Sequence, residues 1–198
     1  MTNVVHRPLR ADARRNRERV IAAARQVFGQ QGRDAQMDDV ARAAEVGVGT
    51  VYRHFPTKEA LLQALAVDAF ERITVIAREN LANVADPWEA FTRTLWHGAE
   101  ILAADRALAE VMAEVTGPIP IGPEMQRELN EAMAELMQRA KDAGALRPDT
   151  VLDDVPMVMC GIGAATRKSH MCPESWRRHM AIVIDGLRTA SASGPLAS

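Results

Sequence analysis

Apolar side chains recur along this chain at spacings of three and four, and no stretch alternates apolar and polar between turn residues. The pattern predicts an all-α fold of about nine helices. Val20, Ile21, Ala24, Val27 and Phe28 form one stripe, so a first helix is expected over 13–30, ended by Gly32. A short second helix follows near 37–44 with Val40, Ala41 and Ala44 inward, and Gly47 breaks it. The third runs over 49–55 and stops at Pro56, because the residue before a proline disfavours the α region. Thr57 then caps a fourth helix reaching about Val84, with Leu61, Leu62, Leu65, Ala69, Ile73 and Ile76 on its buried face. At 1.5 Å per residue it would be ~40 Å long, enough to pass from one domain into another.

The second half has equally clear punctuation. Asp86-Pro87-Trp88-Glu89 opens a fifth helix to about Ala104, with a capping carboxylate, a proline in first position and a Glu that reaches back. Phe91, Leu95 and Leu102 lie along one side of it. Asp105 is expected to cap a sixth, with Leu108, Val111, Met112 and Val115 on one face. Residues 117–123, Gly-Pro-Ile-Pro-Ile-Gly-Pro, must form a loop. A seventh helix is expected from Pro123 to Gly144, with Met125, Leu129, Met133, Leu136, Met137 and Ala140 inside. Thr150 with Asp153 reads as the capping pair of an eighth, which Pro156 should kink or delay, and a ninth runs from about Pro173 to Ala192.

Composition narrows the function class. The chain has 198 residues, 47% hydrophobic and 4% aromatic, enough to bury a large core without staples. Its 24 Lys and Arg against 26 Asp and Glu exclude a polybasic binder and an acidic disordered chain. The balance is uneven, however. Residues 1–60 carry 11 basic against 7 acidic side chains, and Arg7, Arg10, Arg14, Arg15, Arg17 and Arg19 crowd the start. A basic head on an acidic body points to an anionic partner for the head, although a solvated helix start explains the charge alone equally well. No apolar run reaches ~18 residues and the start lacks an apolar leader, so a cytoplasmic protein without a membrane span is expected. Two cysteines, Cys160 and Cys172, are too few for a disulfide framework.

Residues 36–55, QMDDVARAAEVGVGTVYRHF, place two short helices around a tight Gly-containing turn behind a longer first helix, which is a helix-turn-helix pattern. Val40, Ala41, Ala44, Val46, Val48, Val51 and Phe55 are the expected inward set. Gly49, Thr50, Tyr52, Arg53 and His54 remain outward, a set of slender side chains and donors suited to a DNA groove and its flanking phosphates. Lys58 adds a cation beside a helix N-terminus, a combination that favours phosphate. Singly, each has a bland explanation as packing, a helix end or a solvated charge; their common placement beside the turn favours nucleic acid.

The segment VGVGTVYRHFPTKEALLQAL, with RVIAAARQVFGQQGRDAQMDDVARAAEV before it, resembles the DNA-binding region of tetracycline-repressor-like (TetR) transcriptional regulators over roughly 13–73. The resemblance implies that Val48, Gly49 and Thr50 lie at the groove-entering end of the recognition helix. It also implies that Tyr52 and His54 contact backbone or base edges and that Lys58 holds a phosphate. Gln36-Met37 stands where the family usually has a capping Thr or Ser, and Gln36 can still donate to a phosphate. With the helix count and order of the rest, the expectation is a DNA-binding domain at 1–56 and a ligand-binding, dimerising domain at 57–198. The protein would act as a repressor released from its operator by a small effector. A constitutive DNA-binding dimer without a ligand is the alternative.

Candidate chemistry in the second domain is sparser. Methionines concentrate between 112 and 159, and Met packs adaptably around varied partners, although ordinary core filling is its commoner role. Trp96, Ala99, Met112, Met125, Leu129, Met133 and Met157 are the expected cavity lining, with little charge beyond His97 and Glu100, so the effector should be mainly apolar. Cys160 and Cys172 are more than three helical turns apart, and His97, His170 and His179 have no ligand spacing around them, so no metal or cofactor is expected. Gly-x-Ser-x-Gly, His-Glu-x-x-His and phosphate-loop motifs are absent, leaving a small helical enzyme with no support. One short recognition helix reads few base pairs, so a homodimer on a near-palindromic operator is expected. Its interface is expected from Trp176, His179, Met180, Val183 and Leu187 on the ninth helix, packed with Gly161, Ala164 and Ala165 on the eighth.

Overall fold

The computed structural model describes residues 7–104, 108, 121–168 and 175–196. Among them are eight α-helices and no strand: α1 (Arg7–Gln31), α2 (Met37–Ala43), α3 (Val48–His54), α4 (Lys58–Asn83), α5 (Pro87–Ala104), α6 (Pro123–Asp142), α7 (Asp154–Lys168) and α8 (Ser175–Gly186). The expected helix at 105–115 falls outside the described residues except for Leu108, which is helical and buried; Val111, Met112 and Val115 lie there too, as do Cys172 and His170.

Local chemistry sets most boundaries. The Thr57 hydroxyl accepts from the Ala60 N–H at 3.1 Å and starts α4; Asp86 Oδ1 accepts from the Glu89 N–H at 2.7 Å and starts α5. Gly122, at φ 86°, turns the chain into Pro123 of α6, and Gly144, at φ 69°, takes it out of that helix. The cap of α7 differs from expectation. Asp154, not Asp153, accepts from the Val151 N–H, at 2.8 Å, while the buried Thr150 hydroxyl has no partner among the described residues. Pro156 consequently sits in the first turn of α7, where its missing N–H breaks no helical bond. The last helix is shorter than expected, ending at Gly186 rather than near Ala192, because the chain leaves it to pair with 145–147. The Arg147 N–H donates to the Leu187 carbonyl at 3.0 Å and the Thr189 N–H to that of Ala145 at 3.0 Å. Arg147 also grips both Asp149 oxygens, at 2.6 and 2.8 Å, and the Gly194 carbonyl, while the Leu196 N–H donates to Asp149. Those bonds, the Arg147 guanidinium first, hold the Asp149 carboxyl well below the usual carboxylate range.

Two separate cores result. The first joins Val20, Ala24 and Phe28 of α1, Val40 of α2, Val51 of α3 and Phe55 to Leu61, Leu62 and Leu65 of α4, so it continues beyond residue 56. The second packs α4 to α8 around Phe91, Leu136, Ile162 and Met180. A buried hydrogen bond from Asn80 Nδ2 to Thr94 Oγ1, 2.9 Å, ties α4 to α5 inside it. α4 is therefore one continuous rod of 26 residues, about 39 Å long, shared by both cores.

Candidate nucleic-acid interface and ligand cavity

The turn between α2 and α3 fixes how the head presents α3. Its left-handed residue is Glu45, at φ 52°, an uncommon conformation for a residue with a side chain. Arg19 on α1 braces it, donating to the Ala44 carbonyl at 2.7 Å and pairing with Glu45 at 3.4 Å. Gly47 is instead the extended N-cap of α3, at φ −66°. Val51 and Phe55 bury the inner side of α3. Its outer side carries Gly49 and Arg53, both exposed, with Val48 at 42% and Tyr52 at 47% exposure; Thr50 and His54 are half-buried. Val48 thus leaves the inward set expected for it; it is the first residue of α3, where the chain enters the helix. The His54 ring rests 6.3 Å from Phe55, and Arg17 covers the other ring at 5.5 Å.

Lys58 is the first residue of α4, half-buried with its Nζ 5.7 Å from the centre of the Phe28 ring. Gln36 occupies the N-cap of α2 but does not cap it; its amide nitrogen donates to the Asp34 carbonyl at 2.7 Å. The structure therefore groups Val48, Gly49, Tyr52 and Arg53 on one open face. That face can offer an apolar contact to a thymine methyl, close backbone approach and charged or hydroxyl donors.

In the body, a cavity of about 170 Å³ lies between α4, α5, α6 and α7. Of the expected lining, Leu129 and Met133 are in its wall. Trp96, Ala99, Met125 and Met157 are not, and Met112 lies outside the described residues. Trp96 packs at a tilt against Trp176, ring centres 6.1 Å apart, Ala99 is sealed in the core, Met125 packs against the core edge and Met157 is 72% exposed. The wall of α5 is instead Thr94, Leu95, Gly98 and Leu102, one helical face away. Met159, Gln126, Asn130 and Asp153 complete features the sequence reading missed. The Gln126 amide nitrogen donates to Asn130 Oδ1 at 2.9 Å, while its Oε1 is shut off from solvent without a partner among the described residues. A second cleft, of about 320 Å³ at the junction of α1, α4 and α5, is charged, with Arg25, Arg72, His97 and Glu100. The Arg25–Asp68 ion pair, at 2.5 Å, links α1 to α4 beside it.

The proposed dimer residues divide. Trp176, Met180 and Leu187 are buried in this subunit's own core, because their stripe is the inner face of α8. Val183 is half-buried against that core, and Ala164 and Ala165 are half-buried on α7. Gly161 and His179 are exposed, and a Cβ on Gly161 would lie 3.6 Å from His179 Nε2, so the two outer faces adjoin. Beside them stand Met157 and Ile182, the latter 61% exposed.

Among the described residues no three His, Cys, Asp or Glu side chains converge on a metal-sized site, and no helix is long and apolar enough to cross a membrane. The sequence profile described as bacterial regulatory proteins of the tetR family matches residues 20–65, and that of the SbtR-like transcriptional regulator C-terminal domain matches 86–189. A TetR transcription regulatory protein from Mycobacterium vanbaalenii is 34% identical; the match covers 91% of this chain and 99% of that one, with a TM-score of 0.65. A TetR transcriptional regulator from Streptomyces coelicolor is 31% identical over 87% of this chain and 98% of its own, also at 0.65. The HTH-type transcriptional regulator UidR of Escherichia coli K12 is 29% identical over 148 residues, 71% of this chain and 74% of UidR.

Proposed function

Because the chain belongs to the TetR family of DNA-binding transcriptional regulators, we propose that it is a homodimeric repressor that releases its operator when a mainly apolar small molecule fills the α4–α7 cavity. One observation carries this reading. α4 gives Leu61, Leu62 and Leu65 to the core that holds the recognition helix, and Phe70 and Ile73 to the cavity wall. A ligand pressing on Phe70 and Ile73 tilts a rod whose other end seats the head. In a dimer the two recognition helices then lose their match to successive grooves about 34–36 Å apart. The ligand acts only through its differential affinity for the two spacings, so a ten- to hundredfold loss of DNA affinity needs about 1.4–2.7 kcal/mol of coupling.

On DNA, Thr50, Tyr52 and Arg53 read base edges, with Val48 and Gly49 in close apolar approach, and Lys58, His54 and Gln36 act on the backbone. The dimer contact uses the outer faces of α7 and α8, through Met157, Gly161, His179 and Ile182, with Ala164, Ala165 and Val183 at its base. Trp176, Met180 and Leu187 support that contact from beneath.

The test is a gel shift on the DNA upstream of the protein's own gene, titrated with single-ring apolar compounds. Specific retardation that a compound relieves supports gated repression. Retardation that no cavity ligand relieves leaves a constitutive binder.

A further inference from the structure

We propose that the effector is an uncharged, one-ring-sized molecule carrying a hydroxyl or N–H donor that bonds to Gln126 Oε1, and that acidic compounds are excluded. This rests on the α4–α7 cavity being the effector site. Size comes first. A dry cavity of about 150 Å³ accepts benzene, and this one measures about 170 Å³. Phe70, Leu95, Leu129, Met133 and Met159 give it an apolar wall.

The polar groups then set the chemistry. Thr94 is committed twice, accepting from Asn80 and donating to the Ala90 carbonyl, each at 2.9 Å. The Gln126 amide nitrogen is committed to Asn130, one helical turn along α6. That bond fixes the amide plane and leaves Gln126 Oε1 as a buried acceptor with no described donor. Buried acceptors are nearly always satisfied, and here a bound donor would do it. Asp153, also in the lining, is a further acceptor, and no Lys, Arg or His stands in the wall among the described residues. A carboxylate ligand would therefore lose its hydration and find no counter-charge in the wall, with only the remaining amide N–H groups of Gln126 and Asn130 to donate to it, beside the Asp153 carboxylate.

The experiment measures binding of phenol, toluene and benzoate to the full-length protein by calorimetry, with Gln126→Leu alongside. Phenol and toluene share shape and differ in the donor; benzoate carries acceptors only. Benzoate is expected to bind native protein at least about tenfold more weakly than phenol. Gln126→Leu should move the phenol-to-toluene affinity ratio about tenfold toward toluene, the scale of one buried hydrogen bond. An unchanged ratio, benzoate binding as tightly as phenol, or no phenol binding overturns the proposal. Should Gln126→Leu fold poorly, Gln126→Met gives the same comparison, and the phenol–benzoate contrast needs no variant. A gel shift run in parallel keeps the two ideas apart. Phenol that binds with this Gln126 dependence yet leaves DNA bound refutes gated release and upholds the donor rule; DNA released equally by phenol and benzoate does the reverse.

Discussion

Replacing Gly98 by Ala is expected to stabilise the protein and to weaken ligand binding at the same stroke. Gly98 is buried in the interior of α5 and faces the cavity. Glycine inside a helix is worse than alanine by about 0.5–1 kcal/mol, through the backbone freedom it loses on folding. Among the described residues, a Cβ built there meets only the Met159 sulfur, at 3.6 Å, which is ordinary contact, so no strain is subtracted. The buried methyl adds at most about 0.8 kcal/mol of apolar transfer. The sum, about 0.5–1.8 kcal/mol, raises the Tm of a chain this long by roughly 1–7 °C. Urea and thermal denaturation followed by circular dichroism, at fixed protein concentration, measure the gain. The same methyl occupies volume a ligand needs, so the affinity of phenol should fall severalfold in Gly98→Ala. A variant no more stable than the native protein would show that the space beside Gly98 is not open. A more stable variant with unchanged ligand affinity would remove Gly98 from the binding wall.

Lys58→Ala should weaken binding to every DNA sequence and flatten the salt dependence by about one ion, read from binding isotherms at several salt concentrations; Thr50→Ala should instead change operator preference, by about 1–3 kcal/mol at the affected base. Ile182→Asp and Met157→Asp place charge on the outer faces of α8 and α7 and should dissociate the proposed dimer at micromolar concentration; sedimentation that still reports a dimer for both moves the interface elsewhere. Asp149, whose carboxyl pKa is lowered on folding, contributes stability that is full above its unfolded value of about 4 and is lost as pH falls toward the folded value. Asp149→Asn should therefore be less stable than native protein at neutral pH, and the difference should shrink as pH is taken below about 4; a constant gap in acid denaturation curves contradicts the Arg147 pairing.

Features governed by neighbouring residues were legible in the sequence. Thr57 and Asp86 announce helix starts because a cap depends on a side chain and an N–H three residues on. Val40, Ala41, Ala44, Val51 and Phe55 are buried as their spacing requires. Features set across the fold were not legible. α5 is apolar over a wide arc, so periodicity could not separate Leu95 and Gly98, which face the cavity, from Trp96 and Ala99, which do not. The stripe Trp176, Met180, Val183 and Leu187 carries the same spacing whether its cover is the same subunit or another. The end of α8 depends on pairing with residues 145–147, some forty positions earlier. Gln126 and Asn130 did leave a signal: two amides, i and i+4, beside the apolar positions Met125, Leu129 and Met133.

The sharing of α4 between two cores bears on how such a protein can be recombined. A head excised at Pro56 would leave behind Leu61, Leu62 and Leu65, three of the side chains that close its own interior. The smallest transplantable head ends after Leu65 and arrives with two turns of α4 attached. A graft onto another body is then a splice within one continuous helix, and its angular phase becomes a design variable. One residue inserted after Leu65 would advance the body by 1.5 Å and rotate it by about 100° about the helix axis. In the proposed dimer, such a chimaera can fold in both halves and still aim the recognition helices of its two subunits in directions that no single DNA duplex satisfies.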